Sequence, residues 1–378
     1  MERYYLAIDI GASSGRHMLG HIENGKMILE EIWRFENGMK DREGSLCWDL
    51  DALFEEIKTG MKRCKELGKI PVSMGIDTWA VDYVLLDEKD QVLGKTYGYR
   101  DGRTQGVDED VYKIISEEEL YSRTGIQKQS FNTIYQLMAV KKNNPEHLKA
   151  AKNFLMLPDY FHFLLTRQKC SEYTNATSTQ LINAQTNDWD WELIGRLGYP
   201  QEMFLPLSQP GTLVGSFTKE IEEEVGFSCE VVLPATHDTG SAVMAVPGEG
   251  DKNLYISSGT WSLMGIENKT AICTEESRKR NFTNEGGYEY RYRYLKNIMG
   301  LWMIQSVRKE LENKYSFAEL CAMASRRSDF PSRVDVNDPV FLAPDSMIRA
   351  IREMCAKTGH PVPETPDELA AVVYESLS

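Results

Sequence analysis

Two passages of the chain repeat one pattern. Residues 6–22, LAIDIGASSGRHMLGHI, are an apolar run, a turn of Gly and Ser, and a second run ending Met-Leu-Gly-His-Ile. Residues 254–268, LYISSGTWSLMGIEN, repeat it with a Ser-Ser-Gly-Thr turn and Leu-Met-Gly-Ile. A hairpin that recurs at the head of each half implies two duplicated domains facing each other across a cleft. A chain of 378 residues is also too long for one small core. The Gly/Pro/charged break PGEGDK, 247–252, marks the expected boundary, giving domains 1–246 and 253–378.

Local signals fill in the first half. YYLAIDIG, RHMLGHI and MILEEIWRF are apolar runs, and the Asn-Gly of ENGK between the last two signals a tight hairpin. The chain should therefore open as an antiparallel meander of three strands. DALFEEIKTGMKRCKELG then places Leu53, Phe54, Ile57, Met61, Cys64 and Leu67 at helical spacing and stops at Gly68. VSMGIDTWAVDYVLLD reads as strand, turn, strand, and residues 105–200 as mostly helical, with FNTIYQLMAVKKN the clearest helix. Strands alternating with helices make the fold class α/β.

Composition narrows the function. The net charge of −14 opposes a nucleic acid partner, whose phosphates would be repelled. No basic segment precedes an apolar one at the start, and no run is long enough to span a membrane. The seven cysteines are odd in number and lack CxxC spacing, which favours reduced thiols and a cytoplasmic location. Asn175, Asn268 and Asn281 match the glycosylation pattern but carry no meaning without secretion.

Four stretches could carry chemistry. In DIGASSGR, Asp9 ends a strand, and Gly11, Ala12, Ser13, Ser14 and Gly15 form a turn whose N–H and hydroxyl groups could meet an anion, with Arg16 adding charge. The Walker spacing is absent, and a plain tight hairpin would use the same residues. A carboxylate beside such a turn is where magnesium would be held. GIDTWAVDYV brings Asp77, Trp79 and Asp82, which suit a sugar or simply alternate along a strand. PATHDTGSAVMA offers Asp238 as half of a protease dyad, as a helix cap, or as a general base. The dyad fails, because Asp77-Thr78 is followed by Trp79 rather than Gly and the setting is α/β. Cap and base remain open, since a helix dipole serves both. Lastly, NEGGYEYRYRYLKNIMGLWMIQSVRKEL runs from a strand into a helix, with Asn297 at the junction, as cap or ligand, and Gln305 on the helix.

DIGASSGR, GIDTWAVDYVLLD, YRDGRT, FNTIYQL, LMLPDY, YTNATSTQL, THDT, SSGTWSLMG, TNEGG and YLKNIMGLW, in this order and spanning the chain to about residue 310, resemble the FGGY family of carbohydrate kinases, and within it the L-rhamnulose kinases. The resemblance implies two actin/hexokinase-like (ribonuclease H-like) α/β domains closing over ATP and a sugar. It implies ATP- and Mg2+-dependent phosphorylation of the 1-hydroxyl of L-rhamnulose in L-rhamnose breakdown, by a cytoplasmic monomer. Asp238 would be the general base. Ala80, His237, Asp238, Thr239 and Asn297 would contact the sugar. Ala12, Ser13, Ser14, Gly15, Arg16, Thr260 and Gln305 would hold ATP, and Asp9 would place the metal.

Two departures bear on these expectations. Position 80 is Ala where the L-rhamnulose kinase pattern has Gly, so a shifted substrate affinity is expected. The Gly-rich turn that holds adenosine in the family lies beyond Ser378. TPDELAAVVYESLS opens with a capping box (Thr365, Glu368) and carries a stripe of Leu369, Val372, Val373 and Leu377 without a glycine stop, so the second domain is expected to be truncated. The alternatives are a catalytically impaired sugar-binding fragment without the adenosine site, or a kinase for another ketose such as L-fuculose or D-xylulose.

Overall fold

A computed structural model describes residues 3–248, 253–258, 261–341 and 344–377. By internal contacts the chain divides into two compact units. The first is Met1–Asn253 with Glu267–Tyr294, and the second is Leu254–Ile266 with Leu295–Ser378. Residues 267–294 thus pack with the first unit although they follow the expected boundary.

The first unit is built on a six-stranded sheet. The opening meander is present as β1 (Tyr4–Ile10), β2 (Ser14–Glu23) and β3 (Lys26–Glu36), each antiparallel to the next. Asn24 and Gly25 both take positive φ, 51° and 74°, as the two-residue turn between right-twisted strands demands. The chain then crosses through α1 (Leu50–Glu66) to β4 (Pro71–Thr78), which lies parallel to β1 on its other side. Asp49 caps α1 by accepting from the Ala52 N–H, and Gly68 at φ 68° ends it. Cys64 falls on the apolar stripe of α1 and is fully buried.

Two further helices matter for the site, α2 (Thr133–Asn143) and α3 (Leu157–Thr166). The sheet closes with β5 (Leu213–Ser216) and β6 (Glu230–Val232), in the order β5-β6-β4-β1-β2-β3. Ile8, Ile10, Ile57, Ile76 and Phe161 fill the core between sheet and helices, and a second core gathers Ile134, Leu137, Phe154 and Trp189. After β6 comes α4 (Asp238–Met244).

In the second unit β7 (Leu254–Ser258) pairs antiparallel with β8 (Trp261–Asn268), the hairpin expected from the repeat. β9 (Phe282–Gly286) lies in the first unit, and the chain passes between units within β8 and within β10 (Tyr292–Met299). The remainder is helical: α5 (Trp302–Glu310), α6 (Phe317–Arg326), α7 (Met347–Lys357) and α8 (Pro366–Leu377). α8 begins with the capping box read from the sequence. Glu368 N–H donates to Thr365 Oγ1 at 3.3 Å, and Thr365 N–H returns to Glu368 Oε2 at 3.2 Å. Its stripe of Leu369, Val372 and Val373 is buried in one core with Met303, Leu320 and Ile351. No helix among the described residues is long and apolar enough to cross a membrane.

Candidate active site

The site forms where β1, β4 and the loop after β6 end side by side. Asp9 lies opposite Arg16 across β2 and beside Asp77 across the parallel β4. The strand pairing runs on past β6: Thr78 N–H donates to the Thr236 carbonyl at 2.9 Å, and Thr78 pairs with His237. Chain register alone therefore brings Asp9, Asp77 and the His237–Asp238 pair to one end of the sheet.

These three carboxyls are short of partners. Arg16 Nε donates to Asp9 Oδ2 at 2.9 Å, and the other partner of Asp9 among the described residues is the Asp77 carboxyl. Burial, the neighbouring Asp9 and Asp238 charges and a hydrogen bond with Asp9 push Asp77 well above the usual carboxylate range. Burial likewise pushes Asp238 up to about 6, against the donors of Thr239. Yet 36 % of the Asp238 side chain is accessible, so it sits deep in protein with one face open. Its Oδ1 accepts from the Thr239 N–H at 2.5 Å and the Thr239 hydroxyl at 3.1 Å, and His237 Nε2 lies 3.5 Å away. Among the described residues no donor meets Oδ2. Asp238 is also not the cap of α4. His237 occupies that position and makes no side-chain capping bond, so the cap reading of Asp238 gives way.

The loop bearing Asp238 is fixed by a residue that the sequence did not single out. Glu172, fully buried, accepts from Thr174 N–H (2.8 Å) and hydroxyl (2.6 Å), Asn175 N–H (3.1 Å), and Thr236 N–H (3.1 Å) and hydroxyl (2.8 Å). One carboxylate thus caps the short helix at Tyr173 and ties it to the residue before His237. The available signal was an acid two residues before Thr174-Asn175, a capping pattern at the edge of a motif otherwise noted only for its resemblance.

Other expectations change. Trp79 and Asp82 are buried and belong to the scaffold. Asp82 accepts from Trp48 Nε1 (2.6 Å), Trp79 Nε1 (2.9 Å), Tyr99 N–H (3.0 Å) and Gln136 Nε2 (3.0 Å), and the two indoles lie 4.0 Å apart. This knot holds a γ-turn in which Asp82 N–H reaches the Ala80 carbonyl at 2.9 Å. At its centre Val81 takes φ 67°, a strained value for a β-branched residue. Ser178 Oγ, Thr133 Oγ1 and Gln136 Nε2 bind the Val81 peptide groups and hold the strain in place. Ala80, half-buried, is presented from this turn.

The glycine-serine turn is shorter than expected. It covers residues 11–13, with Gly11 N–H bonded to the Ser14 carbonyl at 2.9 Å, while Ser14 and Gly15 already belong to β2. Gly15 is required by packing: a Cβ there would lie 2.1 Å from the Phe35 ring. Ala12, exposed Ser13, Ser14 and Arg16 remain at the rim. Asn297 lies within β10, ahead of a helix whose cap is Leu301, so it caps nothing. Gln305 is half-buried on α5 rather than on a fully solvated face, and both residues belong to the second unit. Thr260 lies outside the described residues.

Comparison with known proteins gives the family and the fold. The N-terminal domain of the FGGY family of carbohydrate kinases matches residues 4–245, and the C-terminal domain matches residues 254–378. A rhamnulokinase of Halalkalibacterium halodurans is 57% identical over 99% of this chain and 80% of its own length, and one of Bacillus subtilis is 43% identical over 99% and 77%. The solved xylulose kinase of Rhodospirillum rubrum superposes with a TM-score of 0.80 at 17% identity, covering 99% of this chain and 76% of that one, a likeness of fold. The two-domain, actin/hexokinase-like α/β fold is therefore that of the sugar kinases, and the chain belongs to the FGGY family of carbohydrate kinases.

Proposed function

We propose that the protein transfers the terminal phosphoryl group of ATP to the 1-hydroxyl of L-rhamnulose, with Asp238 as the general base. The observation that carries the reading is the asymmetry of Asp238: Oδ1 is occupied by Thr239, while among the described residues no donor meets Oδ2 and 36 % of the side chain is accessible. A hydroxyl nucleophile needs one such acceptor for its proton. The transition state of phosphoryl transfer is loose and otherwise asks for positioning and charge stabilisation. Relatives named rhamnulokinase, at 57% and 52% identity over nearly the whole chain, support the choice of sugar.

His237 and Thr239, with Ala80 on its strained turn and Asn297, are the proposed sugar contacts. Ala12, Ser13, Ser14, Gly15 and Arg16 at the hairpin, with Thr260 and Gln305, are the proposed ATP contacts. Asp9 would hold Mg2+. Among the described residues no cluster of three metal-binding side chains is assembled. The donor set of Asp9 beside Asp77, a carboxyl pushed toward its neutral form by burial, suits a cation that keeps phosphate oxygens and water as its other ligands. When bound, Mg2+ neutralises charge on the phosphate oxygens. Arg16, already aligned on Asp9, brings a cation to the same corner.

The test is ADP release with L-rhamnulose, ATP and Mg2+. Wild-type turnover should require all three and nearly vanish in Asp238→Asn. Full turnover in that variant would refute the base, and preferred turnover of L-fuculose or D-xylulose would refute the sugar.

A further inference from the structure

His237 is backed by a buried ion pair that neither the resemblance nor the sequence reading assigned. Arg293, wholly buried on β10, places Nη2 3.0 Å from His237 Nδ1, Nη1 3.2 Å from Glu285 Oε2, and donates from Nε to the Gly286 carbonyl at 3.1 Å. Gly286 is itself pinned, its N–H donating to Thr177 Oγ1 at 2.9 Å and a Cβ there meeting Tyr173 at 2.6 Å. Every nitrogen of a guanidinium is a donor and none can accept. An imidazole nitrogen facing one at 3.0 Å must therefore be the lone-pair nitrogen, which leaves the ring proton on Nε2. That nitrogen is the one 3.5 Å from Asp238 Oδ1.

We propose that Arg293, held by Glu285 and the Gly286 carbonyl, is a positioning residue for phosphoryl transfer. It locks His237 as the Nε2–H tautomer, so that an N–H rather than a lone pair is presented beside Asp238. With Thr239 this directs donors at Oδ1 and leaves Oδ2 to take the proton of the sugar hydroxyl, an inference that rests on Asp238 being the base. The groups facing His237 are Asp238 on one side and Glu285 and Arg293 on the other, with Asp9 and Asp77 beyond Asp238. A competing arrangement exists, since Glu285 Oε2 lies 3.5 Å from Nδ1 and could accept from it, and it requires the opposite tautomer.

The experiment is nitrogen-15 NMR of the imidazole rings in the full chain at neutral pH, with His237→Gln identifying the signal. Expected is a neutral His237 protonated at Nε2. A proton at Nδ1, or a cationic ring, overturns the proposal whatever Asp238 does, so it fails separately from the assignment of the base. Arg293→Met should then release the tautomer, lower kcat about 10- to 100-fold, and raise the acid limb of the pH profile, because a cation near Asp238 is gone. Arg293→Lys should recover part of kcat. If the fold does not survive Arg293→Met, the wild-type tautomer and the Lys variant still decide. An unchanged tautomer and pH profile in Arg293→Met, or loss of the Nε2–H tautomer with full kcat in Arg293→Lys, refutes it.

Discussion

Asp82 and Asp238 are both carboxylates pushed up to about 6 by loss of water, yet their surroundings differ. Asp82 is 1 % exposed and meets four donors from four separate segments of chain. Among the described residues Asp238 is hydrogen-bonded by Thr239 alone, with His237 Nε2 at 3.5 Å, and it keeps part of its side chain accessible and stands near two other carboxyls. A shifted pKa therefore does not identify a functional carboxyl. The number of unmet acceptor sites and the accessibility of the side chain separate the two.

The sharpest way to break this contrast is to neutralise each in turn. Asp238→Asn should lower kcat about 100- to 10,000-fold with the fold intact, measured by ADP release. Asp82→Ala should do the reverse in kind. Removing the common acceptor of two indoles, a backbone N–H and an amide should cost on the order of 3–5 kcal/mol of stability, read by denaturant unfolding. If Asp82→Ala folded with wild-type stability, the scaffold reading of that knot would be wrong.

Next in size is the pH dependence. kcat/KM should fall tenfold per unit below about pH 6, as Asp238 gains a proton. Stability should move the other way. A carboxyl whose folded pKa lies above its unfolded value binds its proton more tightly when folded, so its cost is absent below pH 4 and complete above pH 6. Asp238→Asn should thus be more stable than wild type at pH 8, by about 1 kcal/mol once the open face is discounted for screening, and no more stable at pH 4. Equal midpoints of unfolding at both pH values would remove the electrostatic account. The smallest effect is expected where the two regions join. Ala80→Gly, on the turn held by Asp82, should shift KM for L-rhamnulose less than about tenfold and leave kcat alone.

Much of the scaffold was legible because it obeys local rules. The Asn24-Gly25 turn, the α1 stripe ending at Gly68 and the Thr365–Glu368 capping box each follow from a few adjacent residues. His237 and Asp238 were legible as a pair leading into a helix. Val81 was not, because its positive φ runs against the preference of a β-branched residue and is imposed by Thr133, Gln136 and Ser178 from elsewhere in the chain. Arg293 was not either. YEYRYRY shows arginines alternating with tyrosines, and nothing local says that one of them turns inward to His237, 56 residues back.

The return of residues 267–294 to the first unit has a consequence for anyone dissecting this enzyme. A fragment ended at residue 246 would keep the whole six-stranded sheet and Asp238, and would look complete by sequence. It would lack Arg293 and Glu285 behind His237, the Asn284 side chain bonded to the Gly125 carbonyl at 3.0 Å, and the Tyr292 hydroxyl bonded to the Ala184 carbonyl at 2.6 Å. Such a fragment would expose the apolar and polar seats of that missing ribbon together. Its sugar affinity would measure the loss of the ribbon rather than the independence of the domain. A faithful half-molecule would need the ribbon supplied in trans or spliced back by a short linker in place of the second unit.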